Sequence, residues 1–171
     1  RLDLSNATNP STIGRLTNNG SLTLGAQNVV VTQDYQNANF GIGNAFNARA
    51  NVSGDGLING ANAAMSITGA VTNTAANTYQ MDLGTVRGGS AVTRDLQIAN
   101  TGTGADIRGA VQTTGISDSR LSGTAIVAGG SNFGPIAAGA STGPLSVTFN
   151  TSTAGGSLTG QSLAVVSNFA N

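Results

Sequence analysis

Aspartate is the only acidic side chain in this sequence, and this limits the chemistry that the chain can perform. Seven Asp are accompanied by seven Arg, while Glu, Lys, His, Cys and Trp are absent. Without His or Cys there is no imidazole base, no thiolate nucleophile, and no thiolate or imidazole metal ligand. Paired-carboxylate catalysis needs two carboxylates to converge in a cleft, and the scattered Asp give no sign of that. We therefore expect no enzymatic activity, no catalytic residues and no cofactor.

The densest set of oxygen-bearing side chains lies between Asn51 and Asn59. Calcium binds about six to eight oxygens, usually with several carboxylates among them, and only Asp55 is charged here. Hydrogen bonds from side chains to the backbone of turns explain Asn and Asp in such a stretch without a metal. The sequence therefore favours an Asx-rich turn and predicts no metal site.

Tyr35, Phe40 and Phe46 form the closest group of aromatic residues. Sugar-binding sites commonly use aromatic platforms, but this chain is only 4% aromatic and has no Trp. Large rings in a chain otherwise rich in small apolar residues are more typical of a protein interior. We interpret the group as core rather than as a glycan-binding patch.

Composition favours an ordered all-β protein. The chain has 25 Gly, 3 Pro, 39% hydrophobic residues and a net charge of zero, which argues against a disordered linker. Strong helix formers such as Glu and Lys are missing, and frequent Gly lowers helix propensity. The Arg residues are dispersed, so no basic patch predicts nucleic-acid binding. No apolar run approaches the roughly 18 residues of a transmembrane helix.

Three short segments alternate apolar and polar residues, and two others are a β-branched and an apolar run; all five indicate strands. They are Leu22–Leu24, Val29–Thr32, Ala91–Asn100, Leu145–Phe149 and Leu163–Val166. Their short, regular spacing is typical of a sandwich or barrel.

Turn signals and composition suggest two parts. The pair Asn59-Gly60 favours a turn with positive φ. Of the 19 Asn, 14 lie in residues 1–80. We predict an Asn/Gly-rich β segment at 1–77 and a β-sandwich at 78–171.

Four segments of the second half occur in a recognisable order. They are Tyr79–Gly89, Leu96–Gly102 (LQIANTG), Phe133–Phe149 and Leu163–Asn168. They resemble, in turn, the first strand, the strand ending in Asn-Thr-Gly, the Pro/Gly turn with its following strand, and the penultimate strand of an immunoglobulin-like repeat. The repeat is of the ASPM–SPD-2–Hydin or major-sperm-protein type, found in bacterial choice-of-anchor D proteins and autotransporter-like adhesins. The resemblance implies an immunoglobulin-like sandwich in a surface protein.

The first half is similar to autotransporter passenger or haemagglutinin-like segments. Leu16–Gly25 and Val29–Tyr35 carry this likeness. It implies that residues 1–77 are either β-helix-like or the donor of a strand.

The immunoglobulin-like family normally has a closing strand after the Ser-Asn turn. Only three residues follow Asn168 here, so we expect a sandwich without an evident final strand. Met65–Val71 resembles such a closing strand. An unclosed sandwich exposes an edge that a strand of another copy can fill.

We therefore predict that copies of the chain exchange a strand. The candidate donor residues are Met65, Ile67, Ala70 and Val71, and the candidate acceptor edge consists of Leu163, Val165 and Val166. The N-terminal segment 1–13 is an alternative donor. The alternative to exchange is that residues 61–74 close their own domain.

Three functions remain open at this point. The first is a secreted structural protein, located at the bacterial cell surface, that assembles with itself into a filament, sheath or surface layer. The second is an adhesin passenger module of a larger protein that binds host or matrix ligands, such as glycans or other surface proteins. The third is a cell-envelope spacer.

Overall fold

The computed structural model describes residues 2–41, 47–152 and 155–169. These residues contain fifteen β-strands and no helix, which confirms the all-β class. In this described part no helix is long and apolar enough to cross a membrane. The strands are β1 (Leu2–Leu4), β2 (Ser11–Asn18), β3 (Leu22–Leu24), β4 (Val29–Asn37), β5 (Val52–Ser53), β6 (Ile58–Gly60), β7 (Met65–Gly69), β8 (Thr72–Ala75), β9 (Thr78–Gln80), β10 (Ala91–Asn100), β11 (Ile107–Gly115), β12 (Leu121–Ser122), β13 (Ser131–Ile136), β14 (Leu145–Asn150) and β15 (Ser162–Ser167).

The first six strands form a coil of three stacked turns, at residues 2–60. Odd strands make one parallel sheet, β1-β3-β5, and even strands make a second, β2-β4-β6. Each turn therefore contributes one strand to each sheet. Leu22 stands opposite Leu2 of the turn before and Val52 of the turn after. Stacking of like apolar residues buries the inner faces, and Leu22, Leu24 and Val31 are all at most 2% exposed.

The remaining strands form two antiparallel sheets and a hairpin. One sheet has the order β12-β14-β10-β7, the other has the order β13-β11-β15, and β8 pairs with β9. The alternation predicted for Ala91–Asn100 is visible in β10, where Leu96 and Ile98 are buried and Asp95 is exposed. Apolar side chains of both sheets pack together between them.

The coil and the two sheets share one hydrophobic core. The larger cluster joins Leu24 and Val31 of the coil to Ile98, Ile107 and Val111 of the two sheets. Strand pairing also crosses the predicted boundary after residue 77, because β7 pairs with β10. The division into 1–77 and 78–171 stays a prediction.

Backbone hydrogen bonds fix the junction between the coil and the sheets. Ala105 donates to the Ala61 carbonyl at 2.8 Å, and Thr103 donates to that of Asn62 at 3.0 Å. A Cβ at Gly104 would overlap the Ala61 carbonyl oxygen, so this approach requires glycine. The Asn-Thr-Gly turn thus serves as a docking point for the end of the coil.

The turn predicted at Asn59-Gly60 is wrong. Both residues lie in β6, where they pair with Val30 and Val31 of the preceding turn. Gly60 is needed there for space, because a Cβ would lie 2.5 Å from the ring of Phe169. A parallel ladder partner and a close ring therefore outweigh the local turn preference.

Candidate functional site

An apolar groove lies between the two antiparallel sheets. Its volume is about 460 Å³, and it is partly open to solvent. One wall comes from the four-stranded sheet and the other from the three-stranded sheet. The wall residues are Met65, Ile67, Leu96, Leu121 and Val147 on one side, and Val111, Leu163 and Val165 on the other.

Each sheet ends at this groove in a strand that has one neighbour. β7 pairs with β10 alone, and β15 pairs with β11 alone, among the described residues. The outer edge of β15 therefore presents N–H and C=O groups that no described strand pairs with. An unpaired edge beside apolar surface is the arrangement to which an additional strand can bind.

The structure brings most of the predicted exchange residues to this one groove. Met65, Ile67 and Val71 line it from the β7 side, whereas Ala70 is exposed and donates its N–H to the Asp95 carbonyl at 2.8 Å. β7 pairs within its own chain, with Ile67 opposite Ile98. The alternative that residues 61–74 close their own domain therefore matches the strand pairing of the single chain.

The predicted acceptor residues divide between the two faces of β15. Leu163 and Val165 line the groove and remain only partly buried. Val166 stands opposite Ala110 and does not line the groove, because successive side chains of a strand alternate between faces. The roles of donor and acceptor in exchange between copies stay predictions.

Part of Tyr79–Gly89, which resembles the first strand of a repeat in sequence, covers the groove. Met81 and Leu83 line it, and Val86 packs against the same apolar cluster. Residues 81–86 belong to no strand, and their one backbone hydrogen bond in the described structure joins Gly84 N–H to Asp82 Oδ1 at 2.7 Å. The alternation of Met81 and Leu83 was the available signal. We call residues 81–86 the cover segment.

A clamp holds the loop that leads into β15. Nη2 of Arg120 pairs with Asp118 at 2.6 Å, and Nη1 donates to the carbonyls of Gly155 and Gly156 at 3.0 and 3.1 Å. The Arg120 guanidinium also lies over the Phe149 ring, 4.9 Å from its centroid. Hydrogen bonds from Arg120 hold the pKa of Asp118 at about 2, below its usual range. The clamp therefore holds the described part of this loop, at Gly155 and Gly156, before β15 begins.

Gln161 ties the same loop to the opposite side. Its Oε1 accepts hydrogen bonds from the N–H groups of Ser117, at 2.8 Å, and Asp118, at 3.1 Å. Gln161 itself lines the groove, directly before Ser162 begins β15. The two contacts fix the point at which β15 begins.

The loop considered for calcium already holds a cation of its own chain. The Arg49 guanidinium donates to the carbonyls of Gly56 and Gly54, at 2.5 and 2.6 Å. Asn51 adopts a φ of 59°, as expected in an Asx-rich turn. Among the described residues no group of three or more acidic, His or Cys side chains is placed to hold a metal.

Tyr35, one residue of the aromatic group, belongs to the core. Tyr35 is fully buried, donates its hydroxyl to the Ala48 carbonyl at 2.8 Å, and has a raised pKa because burial disfavours the phenolate. Phe40 is partly buried, and Phe46 lies outside the described residues. Tyr35 therefore supports the interpretation of the group as core.

The chain matches no protein-family model, no curated protein and no solved structure. The immunoglobulin-like resemblance consequently remains an expectation, and the function has to be argued from the groove and its edges.

Proposed function

We propose that this protein is a structural subunit that assembles with copies of itself, by β-strand addition at the groove, into an extracellular filament, sheath or surface layer. The observation that carries the proposal is the unpaired edge of β15 beside an apolar groove of about 460 Å³. A strand bound there would gain backbone hydrogen bonds from β15 and apolar contacts from Leu163 and Val165.

The apolar lining supplies the driving force for association. Full burial of one Leu or Val side chain contributes about 1.5–3 kcal/mol, and several groove residues remain partly exposed in the single chain. A strand from a second copy that covers two or three of these groove residues would therefore gain a favourable free energy of binding from their burial. A heterologous contact of this kind, repeated from copy to copy, builds a filament unless it closes into a ring.

The fold class supports the family resemblance within this proposal. Two antiparallel sheets follow a parallel coil, which agrees with a β-helix-like segment joined to an immunoglobulin-like sandwich. In bacteria such repeats occur in surface proteins, so the proposal includes a location at the bacterial cell surface.

An adhesin passenger module is the second candidate. The same groove would then receive a strand or an apolar group of a host or matrix ligand. In that case the ligand, and not a second copy, would raise the stability of the chain.

Electron microscopy combined with size-exclusion chromatography tests the proposal. The purified chain is concentrated at low and at high salt, imaged by negative staining, and compared with its elution volume over a dilution series. Ordered polymers that persist at high salt support strand addition, because surface charge contacts are screened there. A compact monomer at every concentration contradicts self-assembly and favours the adhesin.

A further inference from the structure

The cover segment has a counterpart near the start of the chain. Leu2-Asp3-Leu4 repeats the apolar–Asp–apolar order of Met81-Asp82-Leu83. Three residues further on, Ala7 corresponds to Val86. Both segments thus place apolar residues at their first, third and sixth positions.

The two segments also share their local structure. Asp3 Oδ1 accepts the N–H of Ser5 at 3.0 Å, as Asp82 Oδ1 accepts that of Gly84 at 2.7 Å. Burial follows one pattern from the second to the sixth position, with only the third and sixth side chains partly buried in each segment. At the first position Met81 is partly buried in the groove, whereas Leu2 is 41% exposed.

Each segment lies at an edge of the part of the fold that holds it. The cover segment has no ladder partner among the described strands. β1 has three residues, pairs with β3 alone among the described strands, and forms the outer end of the coil, where Leu4 packs against the larger core cluster. Both segments can therefore leave their positions without breaking a central strand.

From this correspondence we propose that Leu2–Ala7 of a second copy is the strand that fills the groove, displacing the cover segment and pairing with the free edge of β15. The inference rests on the proposed function and names its donor. In the groove Leu2 and Leu4 take the places of Met81 and Leu83, so that the exposed Leu2 becomes buried. The cover segment is the intramolecular competitor, and it lowers the apparent affinity of the groove for the donor strand.

Disulfide trapping tests the donor directly, because the chain has no Cys of its own. Two populations of full-length chain are mixed and oxidised, one carrying Leu4→Cys and the other carrying Leu163→Cys or Val165→Cys. We expect a crosslinked heterodimer with at least one acceptor, since a disulfide forms only between closely placed Cβ atoms. Leu57→Cys, at an exposed side chain outside the groove, is the control acceptor and should yield none, although its thiol is the more accessible one.

Binding of a peptide tests the donor segment without requiring the full chain to assemble. A labelled peptide of residues 2–9 is titrated with the full chain, and a peptide carrying Leu2→Asp and Leu4→Asp serves as control. We expect saturable binding that the two Asp substitutions weaken at least about 100-fold, because two buried leucines are lost. Leu83→Ala in the full chain weakens the competitor and should tighten peptide binding.

The outcomes separate this inference from the proposed function. Assembly of the full chain without a Leu4→Cys crosslink, and without peptide binding, overturns the donor while self-assembly stands. A monomeric chain that still binds the peptide contradicts self-assembly but supports the claim that residues 2–7 bind in the groove. A monomeric chain that does not bind the peptide overturns both.

Discussion

Asp34 of the coil and Arg108 of the C-terminal sheets form a two-point ion pair. Arg108 Nε lies 2.7 Å from Asp34 Oδ1, and Nη2 lies 2.9 Å from Oδ2. The hydrogen bonds to this carboxylate raise the pKa of the Arg108 guanidinium. Asp106, two residues before Arg108 in the chain, contributes only a weaker, longer-range attraction. The pair links β4 to β11 through two residues that are 74 positions apart in the sequence.

We expect Asp34→Ala to lower the free energy of unfolding by about 1–3 kcal/mol. The loss leaves Arg108 partly buried without its partner, and the 26% exposure of that side chain moderates the cost. Arg108→Lys should recover little, because an ammonium cannot reproduce the two-point geometry. Urea unfolding measures the change, with Arg94→Ala, at an exposed site, as control. Equal free energies of unfolding for Asp34→Ala and the unsubstituted protein would contradict a stabilising role for this ion pair.

Asn100 is the buried amide that holds the Asn-Thr-Gly turn together. Its Nδ2 donates to the carbonyls of Ala105, at 2.9 Å, and Ile136, at 3.1 Å. Its Oδ1 accepts from Gly102 N–H at 3.1 Å, and the side chain is inaccessible to solvent. These bonds join the turn, the sheet and the end of the coil.

We expect Asn100→Ala to cost about 2–4 kcal/mol, because it leaves several buried polar groups without a partner. Asn150→Ala is the matched control, since the side chain of Asn150 is exposed and its Oδ1 accepts one hydrogen bond, from Ser152 N–H. That change should cost well under about 1 kcal/mol. Thermal unfolding compares the two variants, and equal losses would contradict a special role for Asn100.

The Asp118–Arg120 clamp predicts a specific dependence on pH. The pKa of Asp118 is lowered to about 2 in the folded chain, first through the side-chain hydrogen bond from Arg120. A lowered carboxyl pKa stabilises the fold above the unfolded value of about 3.9 and ceases to do so as the pH falls through about 2. The clamp should therefore contribute at neutral pH and be lost in strong acid.

Thermal midpoints of the unsubstituted chain and of Asp118→Asn, measured from pH 7 to pH 2, test this dependence. We expect Asp118→Asn to melt at a lower temperature at pH 7 and the gap to narrow below about pH 4. A gap that is constant across the range would show that Asp118 does not titrate as the clamp requires. Arg120→Ala should raise the pKa of Asp118 towards its usual value, which NMR titration of the carboxyl can follow.

Local pattern in the sequence predicted individual strands well. The alternation in Ala91–Asn100 matches the bounds of β10, and Leu22–Leu24 matches β3. Alternation depends on each strand having one buried face, which a single chain records directly. Leu163 and Val165 of the groove were predicted differently, from a short apolar run that resembles the penultimate strand of a repeat without a closing strand.

Strand partners and long-range contacts were not predictable in this way. Alternation does not indicate whether Leu22 pairs with a parallel or an antiparallel neighbour. The resemblance to autotransporter passenger segments was therefore the only indication of the stacked turns in the sequence. The partner of Arg108 is equally invisible, since Asp34 reaches it only through the packing of the coil on the sheets. The cover segment was interpreted as the first strand of a repeat, and its lack of a ladder partner is a property of the fold.

A pair of lysine substitutions on β15 tests the central claim most directly. Val165→Lys places a charge in the groove, whereas Ala164→Lys places the same charge on the exposed face of the same strand. Light scattering coupled to size-exclusion chromatography gives the mass of each over a concentration series, and circular dichroism confirms that each remains folded. The account predicts polymers for the unsubstituted chain and Ala164→Lys, and folded monomers for Val165→Lys. Polymers of equal size for Val165→Lys would contradict it.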